Sequence, residues 1–180
     1  MQVATTTAEQ RARFDQMFEA EFGYVWTSLR RLGVAPRDAE DVCHELFIAV
    51  YNKIDTQDQT RPLRPWLFAF CVRFAADYRR LARHRVETMS EPPEQGDGRP
   101  GADTLLERRQ AQDLVQRAID TLEPDRRAVF ILHELDQEPI PAVATALEIP
   151  LNTAYSRLRL AREDFRAAVN RLQLTKGAAS

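Results

Sequence analysis

The chain has 180 residues, of which 44% are hydrophobic and 29% charged, and its formal net charge is -2. This length is too great for a single minimal bundle and suits two small modules. Only 6 glycines occur and β-branched alternation is nearly absent, so the sequence predicts an all-α fold. No apolar run approaches the roughly 20 residues of a membrane span, and no secretion signal is evident, so we expect a cytoplasmic protein with no membrane insertion.

Catalytic chemistry has no support in the sequence. Cys43 and Cys71 fall on the apolar sides of helical patterns, so we interpret them as core residues rather than as a disulfide or metal pair. The three histidines are scattered singly, and neither a Ser/His/Asp set nor a carboxylate pair stands out. We therefore predict no catalytic residues, no metal and no cofactor.

Three helices are predicted in the first half of the chain. The first covers about 8–31 and is stopped by Gly33, and the second covers about 36–54. After a polar loop over 55–64, Pro65 opens the third helix. The apolar face of that third helix is predicted to hold Leu67, Phe70, Phe74, Tyr78 and Leu81.

A linker is predicted over 86–102, because Pro and Gly occur there at a density that no regular element tolerates. It separates a first domain at 8–85 from a second at 103–172. Fully extended, these 17 residues reach about 60 Å. The two domains are therefore expected to be able to act far apart.

The second domain ends in a pattern typical of a helix-turn-helix. A helix over about 103–121 is followed by one starting at Pro124, then by a short helix over about 140–147 and a long one over about 152–171. In the long helix, Ala154, Leu158 and Ala161 are predicted to pack inward. The opposite face carries residues suited to base edges or phosphates in a major groove, namely Tyr155, Ser156, Arg157, Arg159, Arg162 and Arg166. The pattern also fits an ordinary helical hairpin with a solvated arginine face.

Two further patterns lie in the first domain. Asp38, Asp41 and Glu45 place acids over an apolar stripe at the start of the second helix, where they could simply complement the helix dipole. Trp66 precedes a run of arginines on the third helix, and aromatics interleaved with cations can hold unstacked bases. Most of those rings are expected to be core, so the arginines are the stronger candidates for nucleic-acid contact, namely Arg73, Arg79, Arg80 and Arg83.

The order and spacing of these blocks resemble an extracytoplasmic-function (ECF) sigma factor of the sigma-70 family. Residues 38–47 are similar to the family's region 2.2, residues 66–80 to regions 2.3 and 2.4, and residues 122–166 to region 4. The resemblance covers nearly the whole chain. It implies a subunit that directs core RNA polymerase to promoters, with an anti-sigma partner implied by analogy.

The resemblance also implies a role for individual residues. The residues that would contact core RNA polymerase are Asp38, Asp41 and Glu45. The residues that would open and hold the -10 element of promoter DNA are Arg61, Arg64, Trp66, Arg73, Arg79, Arg80 and Arg83. The residues that would read the -35 element are Thr153, Tyr155, Ser156, Arg157, Arg159 and Arg162.

Some positions depart from the family pattern. Arg73 stands where many relatives have Asn, and Leu160 replaces a frequent basic residue. Pro139 is expected to delay the start of the short helix, and Glu148, in place of a common turn Gly, is expected to alter the turn after it. Two other classes of function remain open on the residues alone: a stand-alone helix-turn-helix regulator, and a helical adaptor without nucleic-acid contact.

Overall fold

A computed structural model of the chain describes residues 7–88 and 103–177. These residues form helices and connecting turns without any strand, so the prediction of an all-α fold is confirmed. The α-helices are α1 (Thr7–Arg31), α2 (Ala39–Tyr51), α3 (Leu63–Thr88), α4 (Asp103–Asp120), α5 (Pro124–Phe130), α6 (Ile140–Ala146) and α7 (Leu151–Gly177). A 3₁₀ turn (Ile54–Thr56) follows α2, and a π turn (Ile131–Leu135) continues α5.

Helices α1, α2 and α3 pack against one another and form what we call the first module, residues 7–88. Its centre is aromatic: Phe47 is buried, and the Phe18 ring meets it edge-on with 4.9 Å between centroids. Cys43 and Cys71 are fully buried free thiols, as the sequence predicted. Burial raises the pKa of Cys43 to about 12 and that of Cys71 well above its usual value.

Helices α4 to α7 form the second module, residues 103–177, in which α7 packs against α4, α5 and α6. Ala154, Leu158 and Ala161 are buried along α7, which confirms the predicted inward face of the long helix. Helix α6 begins directly after Pro139, as expected, and its turn into α7 completes a helix-turn-helix.

The turn between α6 and α7 contains a non-glycine residue in a left-handed conformation. Glu148 has a φ of 54°, its N–H donates to the carbonyl of Thr145, and the N–H of Ile149 donates to that of Ala144. This pattern is the Schellman motif, in which the left-handed position is usually Gly. The expected alteration of the turn is therefore backbone strain at Glu148, while the hydrogen bonds of the motif are kept. Gly33 ends α1 with the same motif at a φ of 97°.

Two expectations about α3 need correction. Leu81, predicted on the apolar face, is 58% exposed, because among the described side chains of this helix the buried ones end at Ala75. The helix itself continues to Thr88, so the first three residues of the predicted linker are helical. The rest of that linker, 89–102, lies outside the described residues.

The two modules touch each other. Helix α1 contacts α4, helix α3 contacts α6, and buried apolar residues from both modules form one connected cluster. The buried Arg127 of α5 lies beside Gly33, and Gln116 of α4 donates to the carbonyl of Arg30 across 3.5 Å. The structure thus shows the modules together, whereas the sequence suggested units able to act far apart. Across the described ranges, no helix combines the length and the apolar character needed to cross a bilayer.

Candidate nucleic-acid interface

The N-terminal half of α7 presents a polar outer face. Tyr155 is 53% exposed, and Ser156 and Arg159 are exposed beside it. The Ser156 hydroxyl donates to the carbonyl of Asn152 at 2.9 Å, and Arg159 pairs with Glu163 across 2.7 Å. Because the small and apolar residues of α7 point the other way, this face is free to enter a major groove.

The other residues predicted to contact the -35 element are partly engaged inside the second module. Arg157 pairs with Asp125 of α5, and Arg162 pairs with Glu134 of the π turn at 2.6 Å. Thr153 is only half-exposed. A phosphate approaching these arginines would have to compete with the carboxylates that already hold them.

The start of α2 carries an acidic surface with an apolar neighbour. Asp41 and Glu45 are exposed, and Ile48, one turn further along the same side, is 65% exposed. Asp38 differs from them, because it accepts a hydrogen bond of 2.6 Å from the Tyr78 hydroxyl. Burial and this bond raise the pKa of Tyr78. Ile48 is not among the residues predicted from the sequence, where the signal that marks it is an apolar side chain outside the buried stripe of α2.

Three of the residues predicted to contact the -10 element lie together. Arg61, Trp66 and Arg73 line a cavity of about 600 Å³ together with Lys53. The Trp66 ring meets Phe70 edge-on at 4.9 Å, and the Arg73 guanidinium lies 4.7 Å from the centre of the same ring. This wall combines cations with aromatic surface, as single-strand binding requires. The opposite wall belongs to α6 and the turn after it, through Pro141, Ala142, Thr145 and Glu148.

The remaining four residues of that set lie outside this cavity. Arg64 pairs with Glu21 at 2.9 Å, and its guanidinium lies 4.9 Å from the centre of the Tyr24 ring. Arg79 is half-buried and donates to the carbonyl of Leu32 at 2.7 Å. Burial lowers the pKa of Arg79, and the nearby charges of Arg127 and Arg83 lower it further. Arg80 pairs with Asp77, and Arg83 is exposed.

A buried polar contact between the modules was not predicted. The Tyr24 hydroxyl of α1 donates to Asp136, which follows the π turn, at 2.8 Å. The Asp136 side chain is 10% exposed, and its second oxygen lies 3.4 Å from Arg31. Burial, together with the charge of Asp136, raises the pKa of Tyr24, and burial also raises the pKa of Asp136. No local sequence pattern marks this pair, whose members are 112 positions apart.

No metal site is evident in the part of the chain that the structure describes, since no three His, Cys, Asp or Glu side chains gather there. The chemistry of these surfaces is instead that of charge, hydrogen bonding and stacking. The exposed face of α7 suits duplex DNA, and the cation–aromatic wall of α3 suits a single strand.

Two family models match the chain. Residues 17–85 match the model described as sigma-70 region 2, and residues 112–165 match the model described as sigma-70, region 4. The first match covers most of the α1–α3 bundle, including the cation–aromatic wall, and the second covers α6, the turn after it and the N-terminal part of α7. Both halves of the structure therefore correspond to parts of the same family.

Whole-chain comparisons agree with these matches. The chain is 28% identical to the ECF RNA polymerase sigma factor SigE of Mycolicibacterium smegmatis over 91% of its own length and 65% of that relative. It is 24% identical to the RNA polymerase sigma factor NccH of Alcaligenes xylosoxydans xylosoxydans over 89% of each. The ECF RNA polymerase sigma-E factor of Escherichia coli is 27% identical over 70% of this chain and 71% of its own.

Two solved structures share the fold. CnrH in complex with the cytosolic domain of CnrY superposes with a TM-score of 0.65 at 20% identity, covering 89% of this chain and 90% of CnrH. The sigma factor RpoE of Bartonella quintana, in complex with the anti-sigma factor NepR, gives 0.69 at 20% identity, covering 88% and 97%. The chain belongs to the ECF group of the sigma-70 family, the class of transcription factors that directs RNA polymerase to specific promoters.

Proposed function

We propose that the chain docks on core RNA polymerase, recognises a two-part promoter and assists strand opening at the -10 element. The observation that carries this proposal is the presence, in one chain, of two different surfaces whose charge and side chains suit nucleic acid. One is the exposed face of α7, and the other is the cation–aromatic wall formed by Arg61, Trp66 and Arg73. A duplex reader alone would have no use for the second surface.

The -35 element would be read as duplex by Tyr155, Ser156 and Arg159. These side chains are exposed near the start of α7, the end of a recognition helix that usually meets base edges. The arginines paired with Asp125 and Glu134 lie on the flanks of this face and suit the phosphates. Each phosphate neutralised in this way should steepen the salt dependence of binding by a slope of about 0.9.

The -10 element would be held as an opened strand at the wall of α3. Extruding a base costs a few kcal/mol, while stacking it on an aromatic ring returns about 1–3 kcal/mol. Trp66 is the half-exposed ring available there, and Arg61 and Arg73 supply charge for the backbone. Because the two energies nearly balance, polymerase must help to hold the open strand.

Contact with polymerase would use the exposed acidic surface of α2. Asp41 and Glu45 offer negative charge, and Ile48 offers an exposed apolar side chain whose contact with water is unfavourable. Asp38 would contribute at the edge, where Tyr78 orients its carboxylate. An apolar residue rimmed by charges is a common composition for a protein interface.

We also propose that the chain has no catalytic chemistry of its own, requires no cofactor and works in the cytoplasm, where polymerase performs the reaction. An anti-sigma protein is a suitable regulator, since RpoE of Bartonella quintana was solved bound to one. The domain bounds of this proposal are 8–85 and 103–172. Because α3 continues to Thr88, the segment that links the helices of the two domains is 89–102.

Run-off transcription with purified core polymerase tests the proposal. Promoters drawn from a sequence library should give transcripts only when the chain is added. Arg159→Ala should lower transcription from the preferred -35 sequence by about tenfold, the lower part of the range for one good base contact. Arg171→Ala is the matched control, because Arg171 is exposed on the same helix further along.

The alternatives give different results in the same assay. A stand-alone helix-turn-helix regulator would bind duplex DNA yet yield no core-dependent transcript. A helical adaptor would be unaffected by replacing Arg159 and Arg162 with alanine. Absence of any promoter-specific transcript with active core polymerase would refute the proposed function.

A further inference from the structure

A second cavity lies where the C-terminal end of α1 meets α3, α4 and α5. Its volume is about 300 Å³, at the lower end for small-ligand pockets, and it shares no lining residue with the cavity beside Trp66. Three arginines line it: Arg30 belongs to α1, Arg79 to α3 and Arg127 to α5. Asp120, at the end of α4, is the one carboxylate among the described residues that line it. The cavity is therefore rich in positive charge.

The three guanidinium groups gather along three consecutive residues that follow α1. Arg79 donates to the carbonyl of Leu32 at 2.7 Å, and Arg30 donates to that of Val34 at 2.6 Å. Arg127 lies beside the glycine between them, since a Cβ added to that glycine would be 2.9 Å from its Nη1. Three positive charges thus lie around one turn of backbone.

The carbonyl ends of helices account for part of this charge. Arg127 also donates to the carbonyls of Asp120 and Leu122, at the end of α4 and just after it. Because a helix C-terminus is equivalent to about half a negative charge, the ends of α1 and α4 together offset about one of the three positive charges. The Asp120 carboxylate offsets another. About one positive charge is left without compensation.

Burial makes this imbalance costly. Arg127 is 8% exposed, and its Nε has no hydrogen-bond partner among the described residues. Its Nη1 lies 3.7 Å from the Asp120 carboxylate, too far for a direct hydrogen bond. Burial lowers the pKa of Arg79, and the charges of Arg127 and Arg83 lower it further, while Asp125 acts in the opposite direction. An added anion would supply the missing compensation.

We propose that this cavity binds a phosphate group, either as free inorganic phosphate or as the phosphate end of a nucleotide. A phosphate group carries about 1.5–2 negative charges near pH 7 and presents three strong acceptor oxygens, whereas a carboxylate offers one charge and two oxygens. Arg30 and Arg79 are half-buried, and each uses one nitrogen for the backbone, so their other N–H groups supply donors. The more deeply buried Arg127 contributes charge.

Isothermal titration calorimetry of the full chain with inorganic phosphate tests this inference. The titrations use chloride buffer at constant ionic strength, so that screening stays the same. Arg30→Gln and Arg79→Gln should each weaken phosphate binding by at least about tenfold, because each removes a hydrogen bond between charged groups. Phosphate should also raise the Tm of the wild-type chain above its value in chloride, and should raise it less in both variants. With two variants, one remains informative if the other fails to fold.

Arg80→Gln is the matched control. Arg80 is adjacent to Arg79 on α3, but it is exposed, pairs with Asp77 and does not line the cavity. The substitution removes the same charge from the chain. It should therefore leave phosphate binding within about twofold of wild type, as expected for an exposed charge.

Adenosine diphosphate distinguishes the two sources of the phosphate group. Binding more than about tenfold tighter than that of inorganic phosphate supports a nucleotide ligand, and similar affinities support free phosphate. The inference is refuted if neither compound binds at about 10 mM, or if Arg80→Gln weakens binding as much as Arg30→Gln does. It is also wrong if neither compound binds and Arg30→Gln weakens binding to duplex DNA. These titrations contain no polymerase, so their failure leaves the proposed function to the transcription assay.

Discussion

Glu148→Gly should stabilise the protein. Glu148 occupies the left-handed position of a Schellman motif at a φ of 54°, a conformation that costs a residue with a Cβ about 1–2 kcal/mol. Glycine avoids this cost but loses about 0.5–1 kcal/mol through the greater entropy of its unfolded chain. Subtracting this entropy cost from the relieved strain leaves a gain in the free energy of unfolding of about 0.5–1 kcal/mol. For a chain of this length that corresponds to a rise in Tm of about 1–4 °C.

Urea denaturation followed by circular dichroism measures this gain directly. Glu148→Ala is the control, because it removes the same exposed side chain but keeps a Cβ in the left-handed conformation. It should leave the free energy of unfolding within about 0.5 kcal/mol of wild type. If Glu148→Gly is no more stable than Glu148→Ala, the left-handed φ angle of Glu148 does not strain the backbone, and the reasoning is refuted.

Three further outcomes follow from the same structure. Gly33→Ala should destabilise the chain by about 1–3 kcal/mol in urea denaturation, since Gly33 has a φ of 97° and an added Cβ would lie 2.9 Å from Arg127. Burial raises the pKa of Asp136, so the folded protein favours the protonated side chain. The stability that this protonation contributes is present below the unfolded-state pKa and is lost as the pH rises through the folded-state pKa. Asp136→Asn should therefore gain stability relative to wild type as the pH rises above about 4, and parallel unfolding curves measure this. The Cys43 thiol, with a pKa of about 12, should resist a disulfide reagent near pH 8 until denaturant is added, as thiol titration would show.

The features that could be predicted from sequence are those determined by neighbouring residues. The inward face of α7 follows from apolar residues at helical spacing, and Ala154, Leu158 and Ala161 are buried as expected. The start of α6 follows from Pro139, which cannot continue a helix from before it. The exposed position of Tyr155 follows from the same periodicity.

The features that could not be predicted depend on residues distant in sequence. Nothing in the local sequence distinguishes Asp136 from the other acidic residues. Only the fold places it against Tyr24, which is 112 positions away. Leu81 continues the apolar pattern of α3, but it is 58% exposed, and no described residue of this helix after Ala75 is buried. Periodicity shows which side of a helix is apolar, and it does not show how far the neighbouring helices extend.

The division of the predicted -10 residues has a structural cause. Arg61 and Arg73 face the cavity, while Arg64 points to the Tyr24 ring and Arg79 to the carbonyl of Leu32. A helix distributes residues around its axis, so arginines at these different positions along α3 cannot all face one strand. Arg64 and Arg79 instead serve the packing of α1 against α3, and in Arg64 that role lies next to the contact that joins the modules. The arginines of α3 are therefore divided between the wall proposed to bind DNA and the contacts that maintain the fold.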